Sequence, residues 1–284
     1  MRAGAARFDS VVAACRHPER HPTALPGKAR PRAWDGHLAI ENVRLFAETK
    51  PTAVIVAAAM SRMADCERDP DAAHDMNAAL PGALARLAES FGARLVHVST
   101  DLVFGGEPPV GERYTPADPP RPLSVYGQSK ADGDERVLQA NPAALVCRLP
   151  LLYGDSFGRG LGASDALTAA VERGEAPTLF VDEWRTPLDV ADAAAALVEL
   201  AAGAAHGIVH VSGPERVSRA ELGRAVLRHR GASDEELARA FGEGTRADLG
   251  LDRVRPADVS LDDPRVRDLI TSPLRGVGEV LPVP

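Results

Sequence analysis

The sequence predicts an α/β fold built on a parallel β-sheet. Short apolar runs alternate with amphipathic stretches of helical period along most of the chain. One run, "TAVIVAAA" (52–59), is apolar throughout, as a strand covered on both faces of a parallel sheet must be. The order strand, helix, strand then recurs at the spacing of βαβ units.

The elements follow in order. "SVVAAC" (10–15) predicts a strand, "LAIENVRLFAETK" (38–50) a helix, and 52–59 the next strand. Residues 69–92 predict a helix bent at Pro81, where a backbone donor is lost. "ARLVHVST" (93–100) is a strand, "SKADGDERVLQA" (129–140) a helix, and "AALVCRLP" (143–150) a strand. Short strands are expected in "PTLFVDE" and "GIVHVSG", and helices over 162–173, 189–202, 218–230, 233–241 and near 262–271. The Pro- and Gly-rich stretch 105–124 is a long loop, and long loops inside compact domains tend to be functional.

The bulk numbers exclude several classes. A chain of 284 residues can bury a sizeable core. Its net charge of −7, with no long Lys/Arg block, gives no reason to expect nucleic acid or an anionic membrane as partner. Cys15, Cys66 and Cys147 lie far apart with no C-x-x-C, which argues against a disulfide framework or zinc site and fits a reducing cytoplasm. No apolar run is long enough to span a bilayer. "VAAC" before Cys15 faintly suggests a lipoprotein cleavage site, but Asp9 interrupts any apolar h-region. His97 and His210 sit on strand-like runs and read as core histidines rather than metal ligands; Cys147 reads as a small buried hydrophobe.

Ligands of open α/β sheets bind beyond the carboxyl ends of the strands. Ser99, Thr100 and Asp101 fall at one such end, Tyr126 and Lys130 open the helix after the long loop, and Tyr153 and Gly154 follow the next strand. The spacing Y-x-x-x-K alone is common; this company makes it a candidate site. A free tyrosine is a poor acid or base near neutrality. A lysine one turn away favours the phenolate, and a hydroxyl from Thr100 or Ser99 could hold a carbonyl oxygen beside it. Lys130 would also be free to hold a ribose hydroxyl.

Taken together, "VHVSTDLVFGG", "PLSVYGQSK", "CRLPLLYG", "VIVAAAMSRMADCERDP", "EWRTPLDVADAAAAL" and "RPADVSLDD" resemble the extended short-chain dehydrogenase/reductases, in the branch of dTDP-4-dehydrorhamnose reductase. The resemblance covers nearly the whole chain in the right order. It implies a Rossmann-like doubly wound sheet with a smaller C-terminal substrate region: 1–150 with 178–212 returning to it, then 151–177 and 213–284. It implies Thr100, Tyr126 and Lys130 as the catalytic set, with Ser99 beside them. Ala57, Ala58 and Ala59 would line the cofactor, Asp35 would lie near the adenine, and Arg16 would favour NADP(H) over NAD. Asp101, Leu102, Leu151 and, more weakly, Arg185 would face substrate.

Two departures qualify the resemblance. The family opens with a strand and a G-x-x-G-x-x-G turn that holds the cofactor pyrophosphate at a helix N-terminus. Here "VVAAC" aligns with the family's second strand, and only nine residues precede Ser10, where roughly 30 are needed for strand, turn and helix. Losing two or three amide donors would cost roughly 3–9 kcal/mol of cofactor binding. The expectation is a start placed too late, with "MRAGAARF" as the tail of a helix; the alternative is a chain that has lost conventional cofactor binding. Without that first strand the second and fourth family strands lack their shared neighbour. The second departure is on the substrate side: Leu102 replaces a tyrosine, and "LPLL" replaces an aromatic after the "CR" strand.

The expected function is an NADPH-dependent reductase of a keto group on a nucleotide-linked deoxysugar. Tyr126 would be its proton donor and no metal would be needed. The expected partner is the nucleotide-sugar, and a homodimer is admitted. Two alternatives stand beside it: a non-catalytic regulatory subunit of the same family, as in the methionine adenosyltransferase regulatory subunit, and a sugar-nucleotide epimerase.

Overall fold

In the computed structural model, residues 7–20, 29–108, 112–155 and 162–283 are described. Most of the expected helical tail "MRAGAARF" (residues 1–6 of it) and the centre of the long loop lie outside them.

Two parallel ladders hold the longer strands of the chain. β1 (Val11–Cys15) pairs with β2 (Ala29–Ala33). Separately, β3 (Ala53–Val56), β4 (Arg94–Thr100), β5 (Leu145–Leu149) and a later strand, Gly207–His210, make a four-stranded parallel sheet. Among the described residues no strand pairs with both β1 and β3. The break falls where the missing neighbour was expected. Its trace is exposed apolar surface on both flanks, Val12 at 41% and Ile55 at 37%. β2, with the sequence "ARPRA", has no apolar pattern and was not foreseen as a strand.

The helices cover the four-stranded sheet on both sides. α1 (Ala39–Thr49) follows β2. The expected long helix is instead broken into α2 (Met63–Arg68), α3 (Pro70–His74), a wide turn over Asp75–Ala79, and α4 (Leu80–Ser90). The widening precedes Pro81, whose missing N–H leaves the carbonyl of Asn77 without its helical donor. α5 (Val125–Ala140) starts four residues earlier than expected because Ser124 caps it, its Oγ accepting from Gly127 N at 3.1 Å. Gly133 then lets this helix lie on the wide turn: a Cβ there would sit 2.2 Å from the Asn77 carbonyl oxygen.

Strand alternation sorts the two faces. Val96, Leu145, Cys147 and Val209 pack under α7 (Val190–Ala202), which follows α6 (Ala163–Glu172) in chain order. Leu95 and Val146 face the other way, against Phe46, Leu84, Ala85 and Val137. On that second face the residues nearer the carboxyl ends are His97, Ser99 and Arg148, all buried. One face therefore passes from apolar to polar as it approaches the edge where ligands bind.

The remaining chain builds a smaller layer. β6 (Leu152–Tyr153) pairs with β9 (Leu188–Asp189), β7 (Thr178–Phe180) with β12 (Gly242–Gly244), and β8 (Trp184–Arg185) with β11 (Val217–Ser218). β10 (Gly207–His210) and α7 return to the main sheet. α8 (Arg219–His229) and α9 (Asp234–Ala240) each begin with a reciprocal Ser–Glu cap. The helix expected near 262–271 is a single turn, Val266–Leu269.

Candidate active site

β4 ends at Thr100, and the chain turns at once through Asp101–Val103. Thr100 Oγ1 accepts from Leu102 N at 3.2 Å and donates to Asp101 Oδ1 at 3.1 Å. Tyr126 lies in the first turn of α5, beside the Thr100 side chain, which favours its phenolate. The contact depends on Gly127, where a Cβ would lie 2.2 Å from the Leu102 carbonyl oxygen. Only glycine lets the helix start approach this turn so closely.

Thr100, Tyr126 and Lys130 thus share one end of β4, but their electrostatics differ from expectation. Burial is the largest influence on Tyr126 and pushes its phenol well above the ordinary value, so the hydroxyl keeps its proton through neutrality. Lys130 is fully buried and turned inward. Its Nζ donates to Val98 O at 2.7 Å and meets His97 Nε2 at 3.2 Å, so it is not free for a ribose hydroxyl. Burial brings its ammonium down to about 8, opposed by the Asp134 carboxylate.

The strip expected to line the cofactor, Ala57–Ala59, follows β3 and is open: Ala57 and Ala59 are exposed and Ala58 half-buried. Asn77 ties this strip to the Tyr126 helix. Its Oδ1 accepts from Met60 N (2.8 Å), and its Nδ2 donates to Met60 O (3.0 Å) and Ser129 Oγ (2.9 Å). Ser129 Oγ in turn donates to the Tyr126 carbonyl at 2.9 Å. Asn77, Gly127 and Ser129 were missed in the sequence, where nothing marks an asparagine inside an alanine-rich helical run.

Arg16 follows β1 and Asp35 follows β2; the two side chains meet at 3.4 Å, both exposed. Asp35 is held below the usual carboxylate range, mainly by the backbone N–H of His37. Arg16 therefore has an acidic neighbour after all, supplied by β2.

Arg185 corrects one expectation. Its guanidinium is buried against Asp101 (3.4 Å), Glu183 (3.1 Å) and Trp184 O (2.9 Å), so it braces the floor of the site instead of facing a substrate phosphate. Asp101 is likewise buried and raised to about 6 by desolvation, with Arg185 opposing. Leu102 is half-buried, and Leu151 packs beside Tyr153 and Leu222. His97 and His210 are both buried, and burial lowers both, so each is neutral at pH 7. Among the described residues no group of side chains could hold a metal ion, and no helix is long and apolar enough to cross a membrane.

Residues 10–275 match the family model described as RmlD substrate binding domain. The chain belongs to that family. It is 32% identical over 232 residues to dTDP-4-dehydrorhamnose reductase of Mycolicibacterium smegmatis, covering 80% of this chain and 68% of that protein. It is 33% identical over 189 residues to methionine adenosyltransferase 2 subunit beta of Rattus norvegicus, covering 64% of this chain and 55% of that one. This match therefore spans little more than half of the rat subunit. Among solved structures it resembles dTDP-4-dehydrorhamnose reductase of Bacillus anthracis str. Ames in complex with NADP, with a TM-score of 0.81 at 21% identity over 96% of this chain and 97% of that one. The Rossmann-like α/β class of this RmlD-family chain thus stands on sequence and structure together.

The described residues suit the two ends of a nicotinamide dinucleotide better than its middle. Open alanines and the Thr100–Tyr126 pair would suit one end, and Arg16 with Asp35 the other. Between β1 and β3 the described residues offer no glycine turn at a helix N-terminus to cradle a pyrophosphate.

Proposed function

We propose that this chain is an NADPH-dependent reductase of a keto group on a nucleotide-linked deoxysugar. The observation that carries this reading is the meeting of Thr100, Tyr126 and Lys130 at the carboxyl end of β4, with the Tyr126 phenol beside Thr100 and still protonated near pH 7. A bound nicotinamide would supply hydride to the carbonyl carbon. Thr100 would orient the carbonyl oxygen, and Tyr126 Oη would deliver the proton to it. The Lys130 ammonium, one helical turn away, would stabilise the phenolate left behind. Ala57–Ala59 would lie along the cofactor, Asp35 near its adenine and Arg16 near a 2′-phosphate. Leu102 and Leu151 would border the sugar, with the buried Asp101 beneath them holding Arg185 and Thr100, and residues 151–177 and 213–284 would form most of the substrate region.

NADPH titration followed by cofactor fluorescence tests this. Micromolar binding is expected, with Tyr126→Phe binding equally well and losing turnover on a sugar-nucleotide panel. No binding up to millimolar NADPH would overturn the reading for this chain. It would favour a non-catalytic subunit, which the likeness to a methionine adenosyltransferase subunit supports.

A further inference from the structure

The floor of the site holds more positive charge than its own carboxylates balance. Val217 and Ser218 run antiparallel to β8, opposite Arg185 and Trp184, and Arg219 N donates to Glu183 O at 3.0 Å. This pairing brings Arg219, the first residue of α8, to the Glu183 carboxylate. Glu183 is 2% exposed and serves three guanidiniums. Arg255 grips it in a fork at 2.7 and 3.0 Å, Arg185 reaches it at 3.1 Å, and Arg219 Nε stands off at 3.9 Å. The other carboxylate of the cluster, Asp101, pairs with Arg185 at 3.4 Å. Arg185, Arg219 and Arg255 thus share Glu183 and Asp101, three cations on two anions.

Arg219 is the member left over. Arg185 also donates to Trp184 O, and the Arg255 guanidinium lies 5.3 Å from the Phe180 ring centroid. Arg219 has the long pair to Glu183 as its one ion pair among the described residues, and its Nη1 is buried without a hydrogen-bond partner. Buried donors in folded proteins are normally paired, so a stranded one calls for a partner. The side chain as a whole keeps 20% of its surface exposed, so a solute can reach it. Burial foremost, with Arg185 and Arg255 adding to it, weakens its hold on its proton against the pull of Glu183. An oxyanion at Nη1 would answer both the stranded donor and the unbalanced charge.

Its position suits a substrate group. Thr100 Oγ1 donates to Asp101, and three ion pairs then lead through Arg185 and Glu183 to Arg219. The guanidinium therefore sits on the smaller layer, joined by a rigid chain of contacts to the residue beside Tyr126.

We propose that Arg219 is a substrate-binding residue that takes an oxyanion through Nη1, and that this oxyanion is the diphosphate of the nucleotide-linked substrate. The second half rests on the proposed reductase reading; the oxyanion site does not. Arginine suits the task because its planar fork matches phosphate oxygens and its charge persists across the working pH range.

Calorimetric titration of the full chain without cofactor tests this. The probes are dTDP, UDP and inorganic pyrophosphate, with deoxythymidine as the control that lacks phosphate. The natural protein is expected to bind a nucleoside diphosphate, and Arg219→Met to weaken that binding at least about tenfold. Arg219→Lys should weaken it less, since the charge stays while the fork is lost. Deoxythymidine should not distinguish the three proteins. The melting temperature should move little, because Glu183 keeps Arg185 and Arg255. A folded Arg219→Met protein with unchanged nucleotide affinity overturns the proposal, and a lowered melting temperature beside that unchanged affinity would mark Arg219 as purely structural. Failure of both nucleoside diphosphates to bind the natural protein overturns the nucleotide assignment even where pyrophosphate binding depends on Arg219. Should Arg219→Met not fold, the same comparison on Arg219→Lys decides. Failure of the NADPH titration would sink the reductase reading and leave an Arg219-dependent affinity standing.

Discussion

Lys130 Nζ donates to the Val98 carbonyl oxygen at 2.7 Å, which fixes the lysine beneath the site instead of across its mouth. Its charge is therefore governed by burial. With Lys130 near 8 and the Tyr126 phenol far above that, the productive form has both groups protonated. The reductase rate should hold through neutrality and fall as pH rises through about 8, when the ammonium is lost. A pH profile of kcat/KM checks this; a rate that climbs above pH 8 would contradict it.

Gly127 brings the start of α5 onto the turn after β4. In a helix interior, glycine to alanine normally helps by about 0.5–1 kcal/mol. Here the added Cβ meets backbone, so Gly127→Ala should destabilise by about 1–3 kcal/mol. By moving Tyr126 from Thr100 it should also cut kcat at least tenfold. Thermal unfolding and steady-state rates measure the two effects separately.

Arg185 and Asp101 form a buried pair that Glu183 completes. Removing one partner strands a buried charge, which costs about 3–5 kcal/mol. Arg185→Met should therefore lose that much stability by urea unfolding. If Arg185 held a substrate phosphate instead, the variant would keep its stability and raise KM.

Glu199 on α7 accepts from the backbone N–H groups and hydroxyls of both Thr271 and Ser272, clamping the C-terminal segment to the main sheet. These bonds, the Ser272 hydroxyl foremost, hold its carboxyl down to about 2. A depressed carboxylate contributes stability above its unfolded value, about 4.3, and loses it as pH falls through the folded one. Glu199→Gln should cost about 1.5–3 kcal/mol at pH 7. That difference from the natural protein should shrink between pH 4.5 and 2 in chemical denaturation.

Much of the architecture was legible in the sequence because period and composition act locally. Continuous apolar runs marked β3, β4 and β5, and the "SVYGQSK" stretch marked the Tyr–Lys helix. Among the described residues β1 and β3 fall in separate ladders, a pairing that only the structure shows. β2 stayed hidden because a strand of Arg, Pro and Ala carries no pattern and forms only because β1 offers it a ladder.

By itself, then, the sequence determined the fold class, the order of the strands' apolar cores and the identity of Thr100, Tyr126 and Lys130 as neighbours at one sheet edge. Tertiary structure alone decided where Lys130 points, that Arg185 is consumed by Asp101 and Glu183, and that Asn77 couples the alanine strip to the Tyr126 helix. Patterning reports which face of an element is buried. Which partner a buried polar group finds depends on close approach between segments distant in the chain, here set by Gly127, Gly133 and the wide turn before Pro81.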